Sequence, residues 1–469
     1  MTNPTTIIAP LALAVLAGCA ATSPQALRED VQRLTQERVG DVAPAPSDVT
    51  PAQAVAALLA GPVDAPTAVR MALLNNPFLD ASLAVLSISE ADRVQAGRLP
   101  NPLLTLDRLR ESDKLEIERL LSFNVINLLT LPWRAKYAGR QTELAKLQAA
   151  QDVIRLAADT RKAWFNAVAA RQTAAYLQDA TEAAEAGAEL ARRMARVGNW
   201  SQLQQAREQA TLAELAAQLA RARQQSVAER EKLTRLMGLS GPQAQYALPE
   251  RLPDVPAQLA ERERIEAQAL RERLDVRAAQ DEARYVADSL GYVRATGVID
   301  VLELGVKRNT TFDNATRQRE TGRGAELELR LPLFDWGQAR GARAEAVYRQ
   351  SLAKAGAVAI QARSEAREAW HGWRTAYDLA RHYRDEIVPL RKFINDETVL
   401  RYNGMLASVW ELLAETRNHV AAVNGAIAAQ RDFWIADTDL QTALTGTSPG
   451  ALGLLNTAAG ESSATAQGH

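Results

Sequence analysis

The strongest constraint on the fold of this chain is an internal repeat that covers most of its 469 residues. The first copy spans residues 64–240 and the second spans residues 262–446, with a proline-containing connection at 241–261. Leu-Pro-Trp-Arg at 131–134 matches Leu-Pro-Leu-Phe at 331–334, and a long stretch rich in Ala, Arg, Glu and Gln follows each motif. Self-similarity of this kind predicts one structural unit used twice.

Three further matches fall in the same order in both copies, and the first of them is the weakest. Asn-Pro-Phe-Leu at 76–79 corresponds to Arg-Leu-Asp-Val at 273–276, and Val-Gly-Asn-Trp-Ser at 197–201 corresponds to the segment that starts with Tyr-Asn-Gly-Met at 402–405. The end of the first copy, Leu-Thr-Arg-Leu-Met-Gly, lies opposite the segment from Leu440 to Gly446. Each unit is therefore predicted to run helix, strand, strand, long helix, turn, long helix.

Composition and periodicity support long helices. Lys plus Arg is 55 and Asp plus Glu is 56, so the net charge of -1 gives no electrostatic reason to expect a nucleic acid partner. Charged residues of both signs make up 24% of the chain and alternate with alanine, which is typical of solvated helices. A helical stripe is formed by Val409, Leu412, Leu413, Val420, Val423 and Ile427. An ordinary helical bundle has the same periodicity.

The predicted strands argue against a simple bundle. Apolar and polar residues alternate over 115–125 and again over 325–333, which places the apolar side chains on one face. Charged loops are predicted at 108–114 and 309–323. Strands of a membrane β-barrel alternate in this way over about 10 residues, although a half-buried strand of a soluble protein does so too. Four strands cannot close a barrel, which needs about eight, so strands that span a membrane would require an oligomer.

The N-terminus predicts export and lipidation. An apolar run from Ile7 to Ala17 precedes Leu-Ala-Gly-Cys, and Cys19 is the single cysteine of the chain. This pattern is similar to a bacterial lipobox, so residues 1–18 are predicted to be a signal peptide and residues 19–63 a lipidated, extended linker with a helical piece at 27–38. An ordinary secretory signal is the alternative. Residues 447–469 are too poor in apolar side chains to order themselves, and we expect a disordered tail.

The doubled unit, the glycine-containing turns and the lipobox together resemble the TolC-family outer-membrane efflux proteins. The opening of the first copy, Ala-Leu-Leu-Asn-Asn-Pro at 72–77 followed by Gly97 and Pro-Asn-Pro at 100–102, is similar to that family's first helix and its entry into a strand. Leu-Pro-Leu-Phe-Asp-Trp-Gly at 331–337 is similar to the exit from its last strand.

The resemblance implies a fold that is mainly α with a membrane β-barrel. Three chains would each contribute four strands to a shared 12-stranded β-barrel, and their long helices would form a coiled α-helical barrel in the periplasm. The implied function is a passive exit duct of a tripartite efflux system in the bacterial outer membrane. The implied partners are two further copies, a periplasmic adaptor, an inner-membrane pump of the RND type and outer-membrane lipid.

The resemblance also suggests functional residues. The two turns that would dock onto the adaptor correspond to Val197, Gly198 and Asn199 and to Asn403, Gly404 and Met405. Glycine suits a tight reversal because it accepts a positive φ, so these turns could equally be only structural. A pore gate is predicted at Glu411, with Arg401 and Trp410 nearby and Gln204 at the comparable place in the first copy. Glu411 could instead be an ordinary solvated carboxylate.

No motif for catalysis or for a cofactor appears in the sequence, so an enzyme is not expected. The four histidines are scattered, and no set of His, Cys and Met predicts a bound metal. Two other hypotheses remain open: a lipid-anchored helical scaffold or adaptor without a pore, and a periplasmic enzyme with a coiled-coil insertion. The exported substrate, whether drug, metal ion or polypeptide, is not determined by these residues.

Overall fold

The computed structural model describes residues 24–39, 50–296, 301–330 and 332–450. Cys19, the predicted signal peptide and most of the predicted tail lie outside the described residues. The α-helices are α1 (Pro24–Val39), α2 (Pro51–Leu58), α3 (Ala65–Asn75), α4 (Pro77–Ala96), α5 (Val125–Leu129), α6 (Leu131–Arg196), α7 (Gln202–Leu236), α8 (Ile265–Glu272), α9 (Leu274–Thr296), α10 (Gln338–His382), α11 (Val388–Asn403) and α12 (Val409–Gln441). The strands are β1 (Leu103–Glu111), β2 (Lys114–Asn124), β3 (Leu302–Asp313) and β4 (Gln318–Leu329).

The predicted combination of long helices with four strands is confirmed. The longest helix, α6, has 66 residues and at 1.5 Å per residue extends for about 100 Å. Alanine and straight-chain polar residues favour such helices, and ion pairs one turn apart support them, as between Arg193 Nε and Glu189 Oε1 at 2.9 Å. Among the described residues no single helix is long and apolar enough to cross a membrane; one bent pair, α3 with α4, meets both requirements when taken together.

Two compact units divide the chain. The first comprises the described residues of Met1–Val31 with Ser82–Ala149 and Arg277–Val358, and it contains the four strands. The second comprises Gln32–Ala81, Ala150–Val276 and Ala359–His469, and its described part contains three hydrophobic clusters.

The interpretation of residues 19–63 as an extended linker needs correction at its C-terminal end. Thr50 and Gln53 form a capping box that starts α2, with Pro51 in the first helical position. Val55 of α2 and the following Val63 are fully buried, and Trp164 Nε1 donates a hydrogen bond to the Val63 carbonyl at 2.8 Å. This segment therefore belongs to the hydrophobic core of the second unit.

The connection between the copies is also packed into this unit. After a 3₁₀ turn at Gly241–Ala244 the chain is extended, and Tyr246, Leu248 and Leu252 are buried. Its backbone accepts hydrogen bonds from other elements, including one from Trp434 Nε1 to the Pro253 carbonyl at 2.9 Å. Side chains of the helices thus pair with carbonyl groups of this connection, which no regular structure pairs.

The positions that the sequence paired at 76 and 273 occupy equivalent places. Asn76 lies at the break between α3 and α4, and Arg273 lies at the break between α8 and α9. Each side chain contacts the end of the last helix of its own copy. Asn76 Nδ2 donates to the Leu236 carbonyl at 2.8 Å, and Arg273 Nη1 lies 3.5 Å from the Ala443 carbonyl oxygen.

The four strands form one antiparallel sheet in the order β1-β2-β3-β4. Their extent differs from the prediction at both ends. The expected charged loops are strand except for short turns at 112–113 and 314–317, where Ser112 and Arg317 have φ of 50° and 55°. Asp313 Oδ1 closes the second turn by accepting the amide N–H groups of Ala315 and Thr316. Charge is therefore a poor marker of a loop when both sheet faces are exposed.

At the other end the strands stop earlier than predicted. Val125 is the first residue of α5 rather than a strand residue, because the Asn124 side chain caps this helix through the amide of Asn127. Strand β4 ends at Leu329, Leu333 lies outside it, and Leu331 is not among the described residues. The second Leu-Pro motif consequently precedes its helix, whereas the first motif begins α6.

Candidate functional site

The sheet exposes one face that is apolar near the helical ends of the strands. Alternate residues share a face, and the register joins Leu104, Leu121, Val306 and Ala325 in one row across all four strands. The apolar face, as defined by this register, carries Leu104, Leu106, Leu115, Ile117, Leu121, Phe123, Leu302, Leu304, Val306, Phe312, Ala325, Leu327 and Leu329. Leu106 is 64% exposed and Leu327 is 63% exposed, so no part of the described chain covers the side chains of these two residues.

The opposite face is acidic. Its carboxylates are those of Asp107, Glu111, Glu116, Glu118, Glu303, Asp313, Glu320, Glu326 and Glu328. The cations on this face are Lys114 and Lys307, and Lys307 Nζ lies 3.6 Å from Glu118 Oε1 and 3.8 Å from Glu326 Oε2. The two faces therefore differ in polarity.

The sheet has two open edges. Among the described residues, strand β1 pairs only with β2, and strand β4 pairs only with β3. The outward backbone groups of both strands are available for pairing with another strand, which a stable protein does not normally leave uncovered.

The first predicted docking turn joins α6 to α7. Gly198 has a φ of +83°, which only glycine adopts readily, and the amide groups of Asn199 and Trp200 donate to the Met194 carbonyl. Ser201 then caps α7 through a reciprocal pair of hydrogen bonds with Gln204, at 3.2 Å and 2.8 Å. The glycine requirement inferred from the sequence is met in this turn.

The second predicted turn joins α11 to α12 and is built differently. Gly404 has a φ of −81°, so the expectation of a glycine-specific conformation at this residue is wrong. The positive φ, 61°, belongs to Met405, whose side chain is 94% exposed. The amide of Met405 donates to the Tyr402 carbonyl, and that of Leu406 donates to the Arg401 carbonyl. The strained residue is therefore one position later than the sequence suggested.

The predicted gate residues take part in three separate interactions. Glu411 is exposed at the third position of α12, and its amide donates to the N-cap side chain of Ser408 at 3.3 Å. Arg401 pairs with Glu397 at 3.1 Å, and Trp410 lies beneath the Arg207 guanidinium at 4.3 Å. No hydrogen bond or ion pair joins Glu411, Arg401 and Trp410 within the described part of the chain.

The equivalence of Gln204 and Glu411 agrees with the structure. Both occupy the third helical position after a serine N-cap, Ser201 in the first turn and Ser408 in the second. An acidic side chain here also interacts favourably with the helix dipole, which gives Glu411 a structural role of its own.

A polar contact between α7 and α12 was not found from the sequence. Arg417 Nη2 donates to Thr211 Oγ1 at 2.6 Å and lies 3.8 Å from Glu214 Oε2. Burial raises the pKa of the neighbouring Glu208, and the Arg417 guanidinium opposes this shift. Glu208 and Thr211 continue the helical stripe of the buried Leu215 and Leu219, and this periodicity is the signal that could have identified them.

Metal-binding groups of three or more His, Cys, Asp or Glu side chains are absent from the residues that the structure describes. The carboxylates of the acidic face are spread along strands instead of converging on one point.

No protein-family model and no curated protein matches the chain. Solved structures do match: a membrane protein from Pseudomonas aeruginosa, at 20% identity with a TM-score of 0.70, covers 81% of this chain and 93% of its own. The CmeC outer membrane channel of Campylobacter jejuni has 15% identity and a TM-score of 0.69 over 82% and 87% of the two chains. The outer membrane protein VceC of Vibrio cholerae has 17% identity and a TM-score of 0.66 over 82% and 96%. The chain therefore has the fold of these outer-membrane proteins.

Proposed function

We propose that the chain is a TolC-family outer-membrane protein that serves as the passive exit duct of a tripartite efflux system. The observation that carries this proposal is the four-stranded sheet, which exposes an apolar face and ends in two unpaired edges. An exposed apolar surface that extends across four strands is stable when lipid or another protein covers it. A scaffold or adaptor without a pore would have no use for such a sheet.

Three copies complete the sheet in this proposal. Strand β1 of one copy pairs with strand β4 of the next, and the closed ring has 12 strands and no open edge. Closure removes the unpaired backbone groups that would be intolerable in lipid. An even number of antiparallel strands is the rule for outer-membrane barrels made by bacteria.

The difference in polarity between the two faces determines which face of the sheet contacts lipid and which lines the lumen. The apolar face turns towards lipid and the acidic face lines the lumen, because strands of such barrels alternate between lipid-facing and lumen-facing residues. The carboxylates of the acidic face then favour the passage of cations over anions. Cationic drugs and metal ions fit this lumen better than anionic compounds.

The remaining assignments follow the family resemblance. Cys19 is the proposed lipid attachment site that anchors the chain in the outer membrane of a bacterial cell. The turns at 197–199 and 403–405 are the proposed docking sites for a periplasmic adaptor, which connects the duct to an RND-type pump. The high exposure of Val197 and Met405, at 70% and 94%, supports a role in contact with a partner. Glu411 is the proposed gate residue.

The oligomeric mass and the single-channel conductance of the full-length protein test the proposal. Detergent-purified protein should have three times the mass of its own denatured chain and should give discrete, cation-selective openings in planar bilayers. A monomer that gives no openings would contradict the duct and favour the scaffold.

The gate is tested by Glu411→Gln with Glu368→Gln as the matched control, since both carboxylates are exposed on helices. Conductance or open probability should change in the first variant only. Equal behaviour of the two variants would leave the duct in place and remove Glu411 from the gate.

A further inference from the structure

Six arginines share the apolar face of the sheet and lie towards the turn ends of the strands. The arginine belt consists of Arg108, Arg110, Arg119, Arg308, Arg319 and Arg323. All six side chains are exposed. The strand residues of this face include no aspartate or glutamate, so the acidic and basic residues of the sheet are almost completely segregated between its two faces.

The centre of the belt brings like charges together. The register places Arg119 directly opposite Arg308, and Arg308 directly opposite Arg323. Opposed side chains of neighbouring strands have Cβ atoms about 5 Å apart, and like charges in such pairs destabilise a sheet. A row of three arginines across three strands is therefore unfavourable unless anions neutralise it.

The described chain supplies no such anion. Arg119 Nη1 lies 3.4 Å from Thr310 Oγ1, and the Arg319 guanidinium lies 5.3 Å from the centre of the Phe312 ring. No carboxylate oxygen approaches a nitrogen of any of the six side chains within 4.0 Å among the described residues. The counter-charge therefore has to come from outside the described residues.

The position of the belt along the strands limits what that anion can be. Arg323 is six residues from Leu329, a distance of about 20 Å along a strand, and fully apolar rows fill the interval between them. An arginine on the lipid face destabilises a barrel by about 2–4 kcal/mol at the bilayer midplane and by about 0–1 kcal/mol near the interface. Long side chains can extend towards the interface, where phosphate groups are found.

We propose that the arginine belt binds the phosphates of an outer-leaflet lipid that carries more than one phosphate on its head group. Guanidinium groups recognise phosphate through paired hydrogen bonds, and the row formed by Arg119, Arg308 and Arg323 offers three of them on one surface. The acyl chains of the lipid lie along the apolar rows nearer to the helices. This inference depends on the proposed function, because it requires the apolar face to contact lipid.

The test measures lipid binding by the full-length protein in detergent. Native mass spectrometry follows the titration of the protein with diphosphorylated lipid A, with monophosphorylated lipid A and with inorganic tripolyphosphate. The variant is the triple substitution R119Q, R308Q and R323Q. The control is the triple substitution R192Q, R193Q and R196Q, which removes three exposed arginines of α6 outside the sheet.

The wild type should bind the diphosphorylated lipid more tightly than the monophosphorylated lipid and much more tightly than tripolyphosphate. One basic residue near an anionic lipid surface contributes about 1 kcal/mol, or about fivefold in affinity. The sheet variant should therefore bind about 100-fold more weakly, and the control should bind like the wild type. In lipid-free detergent the sheet variant should unfold at a temperature no lower than the wild type, because its like-charge contacts have been removed.

Three outcomes would overturn the proposal. Unchanged lipid affinity in the sheet variant would show that the belt is not the site. Tripolyphosphate binding as tight as lipid binding would identify a soluble polyanion as the ligand. A reversal of ion selectivity in the sheet variant, without a change in lipid affinity, would place the belt in the pore. Absence of trimers and of conductance would instead contradict the proposed duct, since lipid affinity is measured separately.

Discussion

The two copies of the repeat place their contacts alike but make them with different chemistry. At the first helix break, Asn76 and Asn75 donate neutral hydrogen bonds to carbonyl groups at the end of α7. At the second break, the fully buried Arg273 forms ion pairs with Asp275 at 2.6 Å and with Glu365 at 2.8 Å. The fold thus determines where a side chain at each helix break has to contact the rest of the copy. Either amide hydrogen bonds or ion pairs can form that contact.

The two helix turns show the same division. The first turn has Gly198 at a positive φ, and the second turn has Met405 at a positive φ beside a glycine that does not need to be one. A side chain with a Cβ costs about 1–2 kcal/mol in this left-handed region. Met405 therefore has a conformational strain that glycine at the same position would not have.

Substitutions at the two helix breaks are expected to differ most in the free energy of unfolding that they cost. Burial opposes the charge on Arg273, but its hydrogen bonds to Asp275 and Glu365 outweigh burial and raise its pKa. Arg273→Met would leave two partly buried carboxylates without their shared cation, and removal of one partner from a buried ion pair costs about 3–5 kcal/mol. Asn76→Ala should cost about 1–3 kcal/mol, because it leaves one carbonyl unpaired.

Guanidinium denaturation of both variants under identical detergent conditions measures these free energies of unfolding. The double variant Arg273→Met with Glu365→Gln is the control, and it should recover part of the loss. Equal costs for Arg273→Met and Asn76→Ala would show that the charged contact contributes no more than the neutral one.

Alanine substitutions of the glycines in the two turns should show a smaller difference in stability. Gly198→Ala should destabilise the first turn by about 1–2 kcal/mol, since alanine does not readily adopt a φ of +83°. Gly404→Ala should change stability by less than about 0.5 kcal/mol, because its φ is ordinary and an added Cβ would come no closer than 3.5 Å to the Leu400 carbonyl oxygen. Hydrogen exchange of the amides after each turn reads the local effect, and similar protection in both variants would contradict the distinction.

The third effect is smaller still: it is the pH dependence of stability that arises from Glu208 at the contact between α7 and α12. The pKa of Glu208 is raised in the folded protein, so the stability linked to this group is fully present below its unfolded pKa of about 4.3 and is lost as the pH rises through the folded value. Glu208→Gln should therefore match the wild type near pH 4 and become progressively more stable than the wild type towards pH 7. Thermal unfolding across this range measures the effect.

Glu214→Gln serves as its control, because Glu214 is 63% exposed and lies near the same arginine. A pH-dependent gain of stability in both variants would assign the effect to Arg417 rather than to the burial of Glu208.

The sequence predicts the repeat, the long helices, the existence of the strands and both turns, because each depends on periodicity or on a residue type with a local preference. It does not predict the capping box that orders Pro51–Leu58, since alanine and proline there resemble a linker in composition. It also places the positive φ of the second turn at Gly404, because local preference favours glycine, although the structure has it at Met405.

The arginine belt shows a different limit. Arg119, Arg308 and Arg323 come from three separate strands, and their adjacency depends on the register between strands far apart in sequence. Alternation within one strand assigns a face, but it says nothing about which rows align. The row of arginines depends on strand register, and the contact of Arg417 with Thr211 depends on how two helices pack. Neither could be predicted from the sequence alone.

The smallest stability effect should come from Met405→Gly, and it separates strain from contact. Glycine removes about 1–2 kcal/mol of left-handed strain but loses about 0.5–1 kcal/mol through the greater freedom of the unfolded chain. The net gain in stability should therefore be below about 1 kcal/mol, measured by guanidinium denaturation against Met405→Leu, which retains both the strain and an apolar side chain. Cellular accumulation of a cationic dye reports export in the same variants.

If Met405→Gly exports poorly despite equal or greater stability while Met405→Leu exports normally, the second turn keeps a strained residue for its apolar contact with the adaptor. If both variants export like the wild type, the two turns differ only in how they reverse the chain, and docking has to rely on other residues such as Val197.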